Sequence, residues 1–219
     1  MSGFPGSPRI LKGGIVLIDP DSSAVLRVIA LQYNPDSLTR SLQVQPVGAD
    51  GGDRSELLRL KGPPVETLKL EAEIDATDQL ESPDQNAATA QSGLFAQLAA
   101  LETMVYPTSA QLHANDALAR IGTLEIVPME TPLALFVWSA TRILPVRITE
   151  FSITEEAFDT ALHPIRAKVS LGLRVLSVND VPTGHKAAAL FMNYLQQKER
   201  LAGTAASQPL SALGVAGVP

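Results

Sequence analysis

The chain has 219 residues, enough for one large domain or a medium domain with appendages. Its apolar share of 45% allows a real core. Its formal net charge of -6 and pI near 5.1 argue against a general nucleic-acid binder, whose affinity rests on clustered Lys and Arg. The absence of cysteine excludes disulfides and thiolate metal sites.

No basic segment followed by an apolar one opens the chain. No apolar run exceeds Leu133–Trp138 in length, far short of the ~20 residues a membrane helix needs. The expectation is a soluble protein made in the cytoplasm, without direct membrane insertion.

Residues 1–9, rich in Gly, Pro and Ser, read as a flexible N-terminal arm. The runs Ile15–Ile18 and Val25–Leu31 flank Asp19-Pro20-Asp21-Ser22-Ser23, and Pro and Asp followed by Ser preset a turn, so a hairpin is expected. Tyr33-Asn34-Pro35-Asp36-Ser37-Leu38 breaks the second strand, and Leu38–Val44 resumes in extended form. Ala49–Arg54 reads as a loop. Leu68, Leu70, Ala72 and Ile74 then alternate with Lys69, Glu71, Glu73 and Asp75, the pattern of a strand packed on one face.

Ser82-Pro83-Asp84-Gln85 has the spacing of a capping box. Leu94, Leu98, Leu101 and Val105 form a helical stripe, so a helix is placed at about 90–106, weakened at Gly93 and ended by Pro107. Residues 108–120 read as a polar connector. Ile121–Val127 and Leu133–Trp138 read as strands. Val146 and Ile148 share one phase and Phe151 and Ile153 the other, so a β-bulge is expected at Thr149-Glu150. Ile165 to Val175 alternate over what reads as the longest strand. Beyond Pro182, Ala187, Leu190, Phe191, Tyr194 and Leu195 stripe a second helix, and Gly203–Pro219 reads as an uncharged tail, flexible or docked on a partner.

No nucleophile elbow, zinc-protease, Walker or dinucleotide motif occurs. His113, His163 and His185 fall in separate segments and read as surface or turn residues. Asp19-Pro20-Asp21 lacks the downstream acids of a calcium loop and reads as a turn. Glu155, Glu156 and Asp159 cluster where a strand connector is expected. Paired carboxylates there can serve as acid and base, but a solvated hairpin tip or a subunit contact is the favoured reading. Core packing is the ordinary role for Trp138, and an interface anchor the sharper one. Arg166, Lys168 and Arg174 fall on one strand face, solvated or turned toward a lumen or neighbour. No catalytic, cofactor-binding or metal-ligating set is assigned, so an enzyme is not expected.

Five segments in order carry a resemblance. They are Tyr33-Asn34-Pro35-Asp36-Ser37-Leu38, Gly62-Pro63-Pro64 leading into Leu68-Lys69-Leu70 and Ile74-Asp75, the helix ending near Pro107, Pro132–Ser139, and Phe151–Thr154 with Pro164–Leu171. Across roughly Ile10 to Val178 the chain resembles the tube-like and inner-baseplate proteins of contractile injection systems. It departs from them at Ser139 and at Ala161-Leu162-His163, where the family often has Gly. It also lacks the LysM module that many relatives carry.

The resemblance implies a mainly β, α+β fold: a phage-tube-like antiparallel β-sandwich or barrel with one flanking helix, assembled as a hexameric ring. Residues 10–178 would form that domain, and 179–219 a helical extension and tail. The implied function is a structural subunit of the inner baseplate that joins the spike to the inner tube and initiates tube assembly. Its partners would be spike or hub, tube and sheath proteins, without nucleic acid or cofactor, in a phage-tail-like particle. The alternatives are an inner tube protomer, a small-ligand-binding β-barrel, and a hydrolase using Glu155, Glu156 or Asp159.

Overall fold

A computed structural model describes residues 11–47, 59–120, 122, 131–207, 210–215 and 217. Strands β1 (Gly14–Ile18), β2 (Val25–Ala30), β3 (Leu38–Gln43), β4 (Val65–Asp75), β5 (Leu133–Ser139), β6 (Arg142–Phe158) and β7 (Pro164–Val175) form one antiparallel sheet in the order β2-β1-β5-β6-β7-β4-β3. The mainly β, α+β expectation holds. Helices are α1 (Thr77–Leu80), α2 (Ala87–Ser92), α3 (Phe95–Glu102), α4 (Ser109–Arg120) and α5 (Lys186–Thr204).

The connection from β2 to β3 fixes the sheet's shape. These strands lie at opposite edges, six inter-strand gaps apart, or about 29 Å on a flat sheet. From Ala30 to Leu38 the chain reaches at most about 29 Å, and only when fully straight. It is not straight, because Gln32, Tyr33 and Asp36 lie at bends. The sheet must therefore coil until its edges approach, which is how one sheet makes both walls of the expected sandwich or barrel. The link is pinned at both sides: Asn34 accepts from the Gly13 N–H and donates to the Leu11 carbonyl, while Gln32 exchanges two hydrogen bonds with the Asp75 backbone.

The coiled sheet encloses one apolar cluster that includes Ile15, Leu17, Leu68, Leu70, Phe136, Leu144, Val146, Val169, Leu171 and Leu173. Trp138 is half-buried, stacked on Phe136 at 5.8 Å, and packs against this cluster. A Cβ on Gly13 would lie 2.9 Å from its ring.

The register gives the barrel two ends. At one end Ile18 pairs with Leu133, Ala134 with Val146 and Val146 with Val175, and α5 packs there through Ala187. At the other end Asp75 leads into α1–α3, whose Leu94, Leu98 and Leu101 are buried in the core. That helical segment is tied to β7 by bonds from Leu94 N–H to the Pro164 carbonyl and from Ala76 N–H to the Ile165 carbonyl.

The 19–24 hairpin forms as expected. Asp19 accepts from the Asp21 and Ser22 amides and the Ser22 hydroxyl. The bulge also falls where the phase slips: Ile148 pairs with Leu173 and Glu150 with Gly172, leaving Thr149 as the extra residue.

Other expectations need correction. The helix at about 90–106 is two helices, broken at Gly93, whose φ of 56° and contact with Pro164 suit only a residue without Cβ. Val105 is exposed rather than part of the stripe. Ser82 caps no α-helix, because Pro83–Gln85 form a 3-10 turn. The connector at 108–120 is α4, opened by a reciprocal pair between Thr108 and Gln111. More than one helix therefore flanks the sheet. The longest strand is β6, not β7. Helix α5 continues through Gly203 to Thr204, and Leu210–Leu213 make a further 3-10 turn, so the tail is not featureless. The arm at 1–9, the loop at 49–54 and, apart from Gly122, the strand at 121–127 lie outside the described residues.

Candidate functional site

Four strands, β3-β4-β7 and the second half of β6, present a continuous polar face. On β4 the apolar side chains turn to the core and Lys69, Glu71, Glu73 and Asp75 turn away. The register sets Asp75 beside Arg166, Glu73 beside Lys168, Glu71 beside Ser170 and Lys69 beside Gly172. From the other side β6 brings Glu156, Thr154, Ser152 and Glu150 against the same β7 residues.

The charges on this face are paired across strands. Arg166 lies 2.8 Å from Asp75 and 3.6 Å from Glu73, and Lys168 lies 3.1 Å from Glu156. Arg174 reaches Asp180 at 2.6 Å. Arg166 and Lys168 are therefore paired across strands, and Arg174 is paired with the turn that follows β7.

Gly172 leaves a gap that Lys69 of β4 crosses to reach Glu150 of β6 at 2.8 Å. A Cβ there would sit 2.8 Å from the Glu150 Cβ. The gap is the floor of an open groove of about 560 Å³ lined by Lys69, Glu71, Glu150, Ser152 and Ser170.

Hydrogen bonds hold several carboxyls below the usual aspartate range. For Asp75 the causes are the Thr77 hydroxyl and amide, then Arg166. For Asp159 they are the His163 amide, then its ring, and the Ala161 amide. Burial raises the Asp180 carboxyl, but the Ser177 amide and hydroxyl and Arg174 outweigh it, so this group too is lowered. The Lys168 ammonium is raised by its bond to Glu156.

The three clustered carboxylates do not converge. Glu155 and Glu156 lie within β6 rather than in a connector, and only Asp159 is in the turn. Glu156 is committed to Lys168 and Asp159 to His163 at 2.9 Å, an arrangement that braces a hairpin instead of flanking a substrate. His163 also meets Phe95 edge-on, His185 caps α5 by accepting from Ala187, and His113 lies exposed on α4. Among the described residues no group of three His, Asp or Glu is placed to hold a metal, and no helix is long and apolar enough to cross a membrane.

Strand edges are the more telling feature. β5 pairs with β6 only from Arg142 to Val146, so among the described residues β6 beyond that point has β7 on one side and no strand on the other. Among the described residues β3 pairs only with β4, and β2 only with β1.

A second feature escaped the sequence reading. Glu66 shares the inward phase of Leu68 and Leu70 and is only 3% exposed. The Tyr194 hydroxyl donates to one of its oxygens and the Lys198 ammonium to the other at 2.8 Å, with Arg40 at 3.7 Å. Lys198 also lies 4.0 Å over the Tyr194 ring. This cluster latches α5 onto β4. Its signal was present: a carboxylate in phase with leucines, and Tyr and Lys four apart on a helix.

No known family's sequence model matches this chain, and no curated protein matches it. A solved structure described as the tail of an empty GTA particle, computed with helical refinement and C6 symmetry, is similar over 75% of this chain and 90% of its own. Identity is 13% and the TM-score 0.28, too low to assign fold or function.

Proposed function

We propose that this chain is a ring-forming structural subunit of a phage-tail-like particle, placed in the inner baseplate of a contractile injection system. There it joins the spike to the inner tube and initiates tube assembly. The observation that carries this is the four-stranded half-sheet with one polar face and two open edges. β3 and the second half of β6 run in opposite directions, because they are the outer members of four antiparallel strands, with β7 and β4 between them. A copy rotated about a ring axis therefore offers its β6 edge antiparallel to the β3 edge of its neighbour.

Joining edges in this way removes unpaired backbone groups that otherwise invite aggregation. Six copies, the number implied by the resemblance, close about 24 strands into a wall roughly 40–50 Å across, with the paired charges facing a wet lumen. Such a subunit works as a template and needs no catalytic group, cofactor, nucleic acid or membrane insertion. It is made in the cytoplasm and acts within the assembled particle.

An inner tube protomer is the second reading, since the same wall suits a tube. Residues 179–219, with α5 latched at Glu66, favour the baseplate, because a repeating tube unit needs no such extension. A ligand-binding barrel fits less well: the interior is filled by Phe136, Leu68, Leu144 and Leu173, and the groove lies on the polar face outside.

Negative-stain microscopy of the purified protein tests the ring, with closed rings expected. A protein that stays monomeric at its highest attainable concentration would sink it. Deletion of its gene tests the placement, since intact sheathed particles in the deletion strain are incompatible with a baseplate initiator.

A further inference from the structure

Edge strand β3 has little apolar anchorage of its own. Its inward side chains are Leu38, Arg40 and Leu42, set opposite Leu70, Leu68 and Glu66 of β4. Leu38 packs against the core, while Leu42 is 46% exposed. A strand held by one partner strand and few buried contacts opens locally at low cost. Arg40 stands where alternation would otherwise put a second apolar anchor.

What Arg40 meets is α5. Its guanidinium lies 3.7 Å from the Glu66 carboxylate and donates to the Tyr194 hydroxyl at 3.5 Å. Tyr194 donates to the same Glu66 oxygen, and Lys198 to the other. Glu66 is thus shared by three elements: it belongs to β4, and its partners belong to β3 and α5. A buried carboxylate depends on all its partners, because its desolvation is offset only while they stay in place. Undocking α5 removes two of the three groups around Glu66 and the hydroxyl that Arg40 reaches.

The start of α5 is fixed beside the same strand. Asp180 accepts from the Ser177 amide and hydroxyl and pairs with Arg174. The neighbouring Asn179 side chain occupies the space that a Cβ on Gly62, just before β4, would need. The extension is therefore tied at two points to the hairpin that carries the open β3 edge.

We propose that α5 positions the β3 edge through Arg40, so that pairing of this edge with the β6 edge of a neighbouring copy requires α5 to be docked. Arg40, Tyr194 and Lys198 are positioning residues that act through β3. The inference rests on the ring reading for its consequence, whereas the link from α5 to β3 lies within one chain.

Hydrogen exchange on the full chain, below the concentration of ring assembly, tests the link. In Lys198→Met and in Tyr194→Phe the β3 amides should exchange about tenfold faster, with β6 and β7 at the wild-type level. Arg40→Met should act alike and Arg40→Lys lie nearer wild type. Combining Arg40→Met with Lys198→Met should add less than the sum of the two, since both release one link. By negative-stain microscopy the concentration needed for rings should rise about tenfold in Lys198→Met. Unchanged β3 exchange, or faster exchange spread equally over β6 and β7, overturns the link. Rings at the wild-type concentration in a variant whose β3 has loosened overturn the role of α5 in closure. A wild-type chain without rings, whose β3 still responds to these variants, sinks the ring reading and keeps the link.

Discussion

The two halves of the coiled sheet are made from similar residues yet end in different environments. In β1 and β5 both faces are covered: Ile15, Leu17, Ala134 and Phe136 turn to the main core, while Ile18, Leu133 and Leu135 pack with Ala187 of α5. In β4 and β7 one face joins the same core, and the other carries a ladder of ions and hydroxyls. Strand pattern decides how much of each half must be covered. A run such as Leu133-Ala134-Leu135-Phe136 requires a second layer, whereas strict alternation leaves a wall that water or a lumen can face. Helix α5 supplies the layer for one half and leaves the other open.

The contrast breaks most severely at α5. Phe191→Ala removes a buried ring at the junction with the core and should cost about 3–5 kcal/mol in urea unfolding. It should also increase hydrogen exchange in β1 and β5 more than in β4. Equal exposure of both halves would show that α5 does not serve one of them preferentially.

Glu66→Gln keeps the size of the latch and removes its charge. With Tyr194 buried and Lys198 left without its carboxylate, a loss of about 1–3 kcal/mol is expected. Protease sensitivity near residues 182–204 should rise with it. On the polar wall, Gly172→Val meets the Glu150 Cβ and should cost about 1–3 kcal/mol by overpacking. The same change opens the Lys69–Glu150 bridge, and a neutral result would mean that the β7 backbone yields there.

Acid should act next. The Asp75, Asp159 and Asp180 carboxyls are lowered in the folded protein. Their contribution is therefore complete above the ordinary aspartate value of about 3.9 and is lost as pH falls through the folded values. A urea midpoint followed from pH 6 downward should stay level and then drop below about pH 4. Asp180→Asn should lower the plateau and shallow the drop. The smallest effect belongs to Lys69→Met: both partners are more than half exposed, so less than about 1 kcal/mol is expected.

Much of the polar half was legible in sequence. The alternations of Leu68–Asp75 and Ile165–Val175 fixed which side chains face inward, and the phase slip at Thr149-Glu150 located the bulge, because strand periodicity is a local property. Gly93 marked the break between helices for the same reason. Helix α4 was missed because none of its residues is buried, so it has no apolar stripe, although Thr108 and Gln111 carried its capping signal. Glu155 and Glu156 were misplaced because β6 runs on through polar residues that only pairing with β7 makes strand.

By itself the sequence determined the alternating strands β4 and β7 with their buried faces, the turn at Asp19–Ser23 and the absence of familiar catalytic motifs. The tertiary structure decided which strands became neighbours, that β2 and β3 lie at opposite edges of a coiled sheet, and that Glu66 meets Tyr194 and Lys198. The division has a physical cause. Periodicity and turn chemistry act over a few residues, whereas sheet order, edge exposure and buried ion pairing depend on contacts between residues up to 154 positions apart.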